Sequence, residues 1–197
     1  MKMGLGISRL SSLVPILFSI VVMGCCLIAA EGGDDCQESG KLPGKNPPPG
    51  KCKEDDNSKC CAEGESYSIF QCSPPVTEQT KAILTLNSFQ EGGDGGGPSK
   101  CDNMYHSDDE AVVALSTGWF GSDDNNRCHN SIIISSNGKE VKATVVDECD
   151  STQGCDEEHD FQRPCRYNVV DASKAVWKAL AVDENGKDEP EIEWSEA

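Results

Sequence analysis

The sequence predicts a mainly β protein: a small closed β-barrel with one short helix packed on it, entered through an irregular, disulfide-rich arm. Three observations carry this expectation. Five short runs rich in Val, Ile, Leu and Thr lie between residues 81 and 194, one helical stripe occurs late, and residues 31–75 hold five cysteines but few large apolar side chains.

Taken in order, residues 1–30 read as a cleavable secretory signal. Lys2 and Arg9 are its only charges, an apolar run follows from Leu13 to Ile28, and Ala29 and Ala30 supply the small-residue exit. A membrane anchor fits less well, because Pro15 interrupts the run and Glu31, Asp34 and Asp35 stand where a stop-transfer flank would carry Lys or Arg. Residues 31–75 form the arm. Pro, Gly, Lys and acids dominate it, including the run 45–50 (KNPPPG), so it cannot build a core and needs cross-links and docking for order. Residues 76–197 are the folded body.

Within the body the strand runs are Lys81 to Leu86, Ala111 to Thr117, Ser131 to Ser135, Glu140 to Val146 and Glu191 to Trp194. Asn137-Gly138 joins the third to the fourth and predicts a tight hairpin, because both central positions of a type I′ turn need positive φ. Val141, Ala143 and Val145 alternate with Lys142 and Thr144, so one face can pack while the other meets water. The helix is expected after Asp171, which suits the N-cap, with Ala172, Ala175, Val176, Ala179 and Leu180 on one stripe. Trp177 and Trp194 read as core.

Cleavage of the leader removes Cys25 and Cys26 and leaves Cys36, Cys52, Cys60, Cys61, Cys72, Cys101, Cys128, Cys149, Cys155 and Cys165. An even number in an exported chain reads as disulfides, with the pairing left open by the sequence. No CxxC pair suggests zinc, and oxidised sulfur cannot act as a nucleophile. Without the leader, 15 basic residues face 34 acidic ones, a formal charge of −19. Such a surface repels nucleic acid and anionic membranes and steers basic partners inward.

Several segments, taken together, resemble one plant family. Residues 72–77 (CSPPVT), 91–98 (EGGDGGGP), 112–120 (VVALSTGWF), 145–160 (VVDECDSTQGCDEEHD) and 168–180 (NVVDASKAVWKAL) closely resemble the kiwellins, also called ripening-related proteins. Kiwellins in turn resemble barwin, the first domain of expansins and family 45 endoglucanases. The resemblance implies their six-stranded double-psi β-barrel for residues 76–197.

It also implies a role. Kiwellins are associated with plant defence, and members bind and inhibit secreted fungal effectors of the chorismate mutase type. A secreted, non-enzymatic protein of the plant apoplast or cell wall is expected, with no cofactor and no metal. Its contact residues should lie on loops: Asp108 and Asp109, Trp119 and Phe120, Asp123 and Asp124, Glu157 and Glu158. The alternative is a polysaccharide-binding or weakly carbohydrate-active protein using Asp147 and Asp171, which occupy motifs similar to acidic motifs of expansins. For Asp171 a helix cap is the simpler role, and for Asp147 a loop-fixing hydrogen bond. The acidic run 156–160 reads as a solvated loop, since its spacing matches no standard calcium loop. His106, His129 and His159 stand apart from one another in sequence.

Overall fold

A computed structural model of the chain describes residues 1, 36–52, 54, 59–93, 95–122, 126–183 and 189–197. The chain divides into two compact units, Met1–Gly33 and Asp34–Ala197. Apart from Met1, the expected leader lies outside the described residues, and every described strand and helix belongs to the second unit. No helix among the described residues is long and apolar enough to cross a membrane.

The arm holds more regular structure than its composition announces. Strands β1 (Gly40–Pro43) and β2 (Ser66–Ile69) pair as an antiparallel hairpin. Disulfides Cys36–Cys72 and Cys52–Cys60 close loops within the arm, and Cys61–Cys155 fastens it to the body. Close main-chain packing completes the join. A Cβ on Gly118 would stand 2.2 Å from both Cys72 C and Ser73 N.

The body contains β3 (Thr80–Leu86), β4 (Val112–Ser116), α1 (Thr117–Phe120), β5 (Ser131–Ser136), β6 (Lys139–Cys149), β7 (Val169–Ala172), α2 (Lys174–Leu180) and β8 (Glu191–Glu196). Its strands close into a barrel in the order β3-β7-β4-β6-β5-β8. Two parallel pairs, β3 with β7 and β4 with β6, meet across the antiparallel β4–β7 ladder, which is the double-psi β-barrel. The β5–β6 hairpin turns at Asn137 and Gly138 with φ of 53° and 72°, as its sequence requires.

One strand was not among the expected runs and takes in the first residue of the helical stripe. Val169–Ala172 pairs on both edges, with β3 and β4, and this pairing of β-branched residues overrides the helical spacing that began at Ala172. The N-cap of α2 is therefore Ser173, not Asp171. Ala179 faces water, and α2 buries Val176, Trp177 and Leu180.

The barrel interior is filled by Leu84, Val113, Leu115, Ile132, Ile134 and Val145 together with Trp119, Phe120, Trp177 and Trp194. Trp119 and Trp194 meet edge to face at 5.2 Å, a contact worth about 0.5–1.5 kcal/mol beyond the area it buries. Trp119 also donates from Nε1 to the Pro74 carbonyl at 2.8 Å, so the same side chain anchors the arm.

Candidate functional site: an acidic groove between barrel and arm

The site begins with a register shift. Along β6, Ala143 and Val145 point into the core, and unbroken alternation would turn Asp147 inward after them. Val113 of β4 faces Val145, but the next residue, Ala114, faces Asp147, so Val146 is a bulge. The bulge reverses the parity of the strand and turns Asp147 outward. Val146 then packs in a small outer cluster with Phe89, Val112 and Ala114.

Across the sheet this creates a row. Thr85 of β3 is in register with Asp171 of β7, Asp171 with Ala114 of β4, and Ala114 with Asp147 of β6. Register partners share a face, so all four side chains project the same way. The two aspartates lie two strand spacings apart, roughly 10 Å between backbones. Thr85 Oγ1 donates to Asp171 Oδ1 at 2.6 Å, and Trp177 Nε1 of α2 donates to the Thr85 carbonyl at 3.0 Å, which ties the row to the helix.

These residues floor a surface cavity of about 590 Å³. Tyr67 and Phe70 of the arm form one wall, and residues from Asp150 to Arg166 form another. Burial raises the Asp147 carboxyl above its ordinary pKa, opposed by the N–H groups of Lys100 and Glu148 that donate to Oδ1 at 2.9 and 2.8 Å.

On the loop wall His159 is clasped by two carboxylates, Nδ1 at 2.7 Å from Asp156 and Nε2 at 3.6 Å from Asp150. The Asp150 carboxylate, aided by Asp156 against the opposing effect of burial, pushes His159 up to about 9. It is a cation at neutral pH. Burial alone would raise Asp150, but His159, Thr152 and the Gln153 N–H hold its carboxyl well below the usual range. Disulfides Cys149–Cys165 and Cys61–Cys155 pin the same loop.

The other expected contact residues scatter. Asp108 is half-buried and accepts from Ser88 Oγ at 3.1 Å, whereas Asp109 is exposed. Trp119 and Phe120 are a correction: at 1% and 0% exposure they complete the barrel core and present no side chain to a partner. Asp123 and Asp124 lie outside the described residues. Glu157 and Glu158 are exposed on the groove loop, Glu157 lying 3.5 Å from Lys51 of the arm and Glu158 lining the cavity. Asp171 is a strand residue in the groove and not a helix cap. Among the described residues, no group of three or more His, Cys, Asp or Glu could hold a metal ion. Sequence reasoning passed over Thr85 and the His159 clasp, although an Asp three residues before a His between two cysteines was a visible signal.

A disulfide-braced double-psi barrel with an open, acid-lined groove is thus the class of protein that fold and site define. A family model described as Kiwellin-1 matches residues 30–197, and the chain belongs to the kiwellin family. Putative ripening-related protein 2 of Oryza sativa subsp. japonica is 46% identical over 188 residues, 92% of this chain and 97% of that protein. Kiwellin of Actinidia chinensis var. chinensis is 55% identical over 141 residues, 71% of this chain and 64% of that one. Among solved structures, a Clavibacter michiganensis expansin is similar at a TM-score of 0.44 and 18% identity, over 60% of this chain and 50% of its own. A Streptomyces papain inhibitor is similar at a TM-score of 0.42 and 18% identity, over 61% and 97%.

Proposed function

We propose that this is a secreted, non-enzymatic plant defence protein that binds and inhibits a secreted pathogen protein in the apoplast. A fungal effector of the chorismate mutase type is the partner the family indicates. The observation that carries this reading is the family match over residues 30–197. The braced loops support it. Cys149–Cys165 and Cys61–Cys155 fix the groove loop before any partner arrives, so little ordering entropy opposes binding. Asp108, Asp109, Asp123, Asp124, Glu157 and Glu158 are the contact residues retained in this reading. The test is titration of a purified secreted fungal chorismate mutase with the oxidised protein, read by calorimetry and by mutase activity. A saturable complex with loss of activity is expected; no complex with that enzyme or with any protein of a pathogen secretome overturns the reading.

A second reading is binding of cell-wall polysaccharide, favoured by the Thr85–Asp171–Ala114–Asp147 row on the groove floor. Retention on insoluble cell-wall glycan, abolished in an Asp147→Asn/Asp171→Asn variant, would support it.

A further inference from the structure

We propose that the free edge of β2 binds an extended, basic segment of a partner protein, which adds a third strand to the arm hairpin inside the groove. The inference rests on the reading of the protein as a binder of other proteins and names the form in which the partner is recognised.

The ladder between β1 and β2 fixes which groups are spare. Gly44 N–H donates to the Glu65 carbonyl at 2.9 Å, and the register continues through Pro43 with Ser66, Leu42 with Tyr67 and Lys41 with Ser68. In an antiparallel pair hydrogen-bonded and non-hydrogen-bonded positions alternate. Tyr67 and Ile69 therefore pair with β1, while the N–H and C=O of Ser66 and Ser68 point off the opposite edge. No partner for those groups occurs among the described residues.

That edge opens on the cavity. Ser66, Tyr67 and Ser68 all line it, and consecutive residues do so only where a strand is met edge-on, since a face would show alternate ones. The next outward-facing donor, Phe70 N–H, is already bonded to the Ser151 carbonyl at 2.8 Å. The edge thus pairs with a neighbouring backbone at one end and is vacant for the two preceding outward positions, the arrangement that receives an added strand.

Charge selects the guest. Arg166 is neutralised by Glu189 at 2.9 Å, and the His159 cation is held between Asp150 and Asp156. Arg163 stacks over the Tyr67 ring at 5.0 Å on the wall. Seven carboxylates, Asp147 and Asp171 of the floor among them, line the cavity against the four cations Lys59, His159, Arg163 and Arg166, so a Lys or Arg on the added strand meets net negative charge and an acidic residue is repelled.

The test uses the full oxidised protein and the capped heptapeptide TVKVRVT, followed by amide NMR shifts, with TVEVEVT as the acidic twin. Two further versions of the basic peptide are N-methylated, each along one edge only. Expected are saturable shifts at Ser66, Ser68 and Asp147 with the basic peptide and none with the acidic one. Methylation of one edge should weaken binding about ten-fold or more, the effect of a lost net hydrogen bond, while methylation of the other leaves it unchanged. Absence of saturable shifts at Ser66 and Ser68, or equal binding of both methylated peptides, overturns the proposal. If the chorismate mutase binds and the peptide does not, this inference alone falls; if the peptide binds and the mutase does not, only the effector assignment falls.

Discussion

Two residues show how the groove is held. Asp147 has its pKa raised above 3.8 because burial penalises its charge more than two backbone donors compensate. A carboxyl raised in the folded state stabilises the fold when protonated, and that contribution is lost as pH rises through the folded value. At neutral pH the Asp147 charge therefore opposes folding. Asp147→Asn keeps the Oδ1 acceptor and drops the charge, so its Tm should exceed that of the parent at pH 7, with the gap closing near pH 3 in a thermal scan. Gly118 acts through space alone. The atoms 2.2 Å from its missing Cβ are main chain and cannot swing aside, so Gly118→Ala should cost about 1–3 kcal/mol in a denaturant titration, as overpacking does.

At the scale of elements, the loop from Asp150 to Cys165 is a clamp with a pH window. His159 is raised to about 9 from 6.5, so its share of the clamp is complete below 6.5 and fades as pH climbs through 9. Asp150 is lowered from 3.8, so its share is present above that value and fades in acid. Between those limits the loop should be tightest. Protection of residues 150–165 from hydrogen exchange, taken relative to the intrinsic base-catalysed rate at each pH, is expected to fall above pH 9, and His159→Ala should show the lower protection already at pH 6.

The same scale shows what the sequence made legible. The Asn137-Gly138 hairpin and the five strand runs follow from local chemistry, since turn φ values and alternation are written in neighbouring residues. β7 does not, because Val169–Ala172 becomes a strand only through β3 and β4, chain segments far away in sequence. Asp147 was singled out by its motif, but its outward direction depends on a bulge at Val146 that no local pattern announces. Trp119 and Phe120 looked like loop aromatics because α1 is one turn long, too short for a periodic signal.

For the whole molecule, the cross-links differ in reach. Cys61–Cys155 spans 94 residues and Cys52–Cys60 spans 8. In the chain-entropy account the first contributes about 4–5 kcal/mol and the second about 2.5. A Cys61→Ser/Cys155→Ser variant should accordingly lose far more Tm than Cys52→Ser/Cys60→Ser. It should also detach the arm wall from the groove, seen as faster proteolysis of residues 36–72. The barrel is closed by β8, which pairs with both β3 and β5 and comes last among its strands. This sets a timetable for biogenesis. While the chain is being made, the Cys36–Cys72 and Cys52–Cys60 bonds can form early, but β3 and β5 keep exposed edges until residues 191–196 have emerged. A half-built barrel therefore precedes the last strand, and the long-range Cys61–Cys155 bond can form only after residue 155 has emerged.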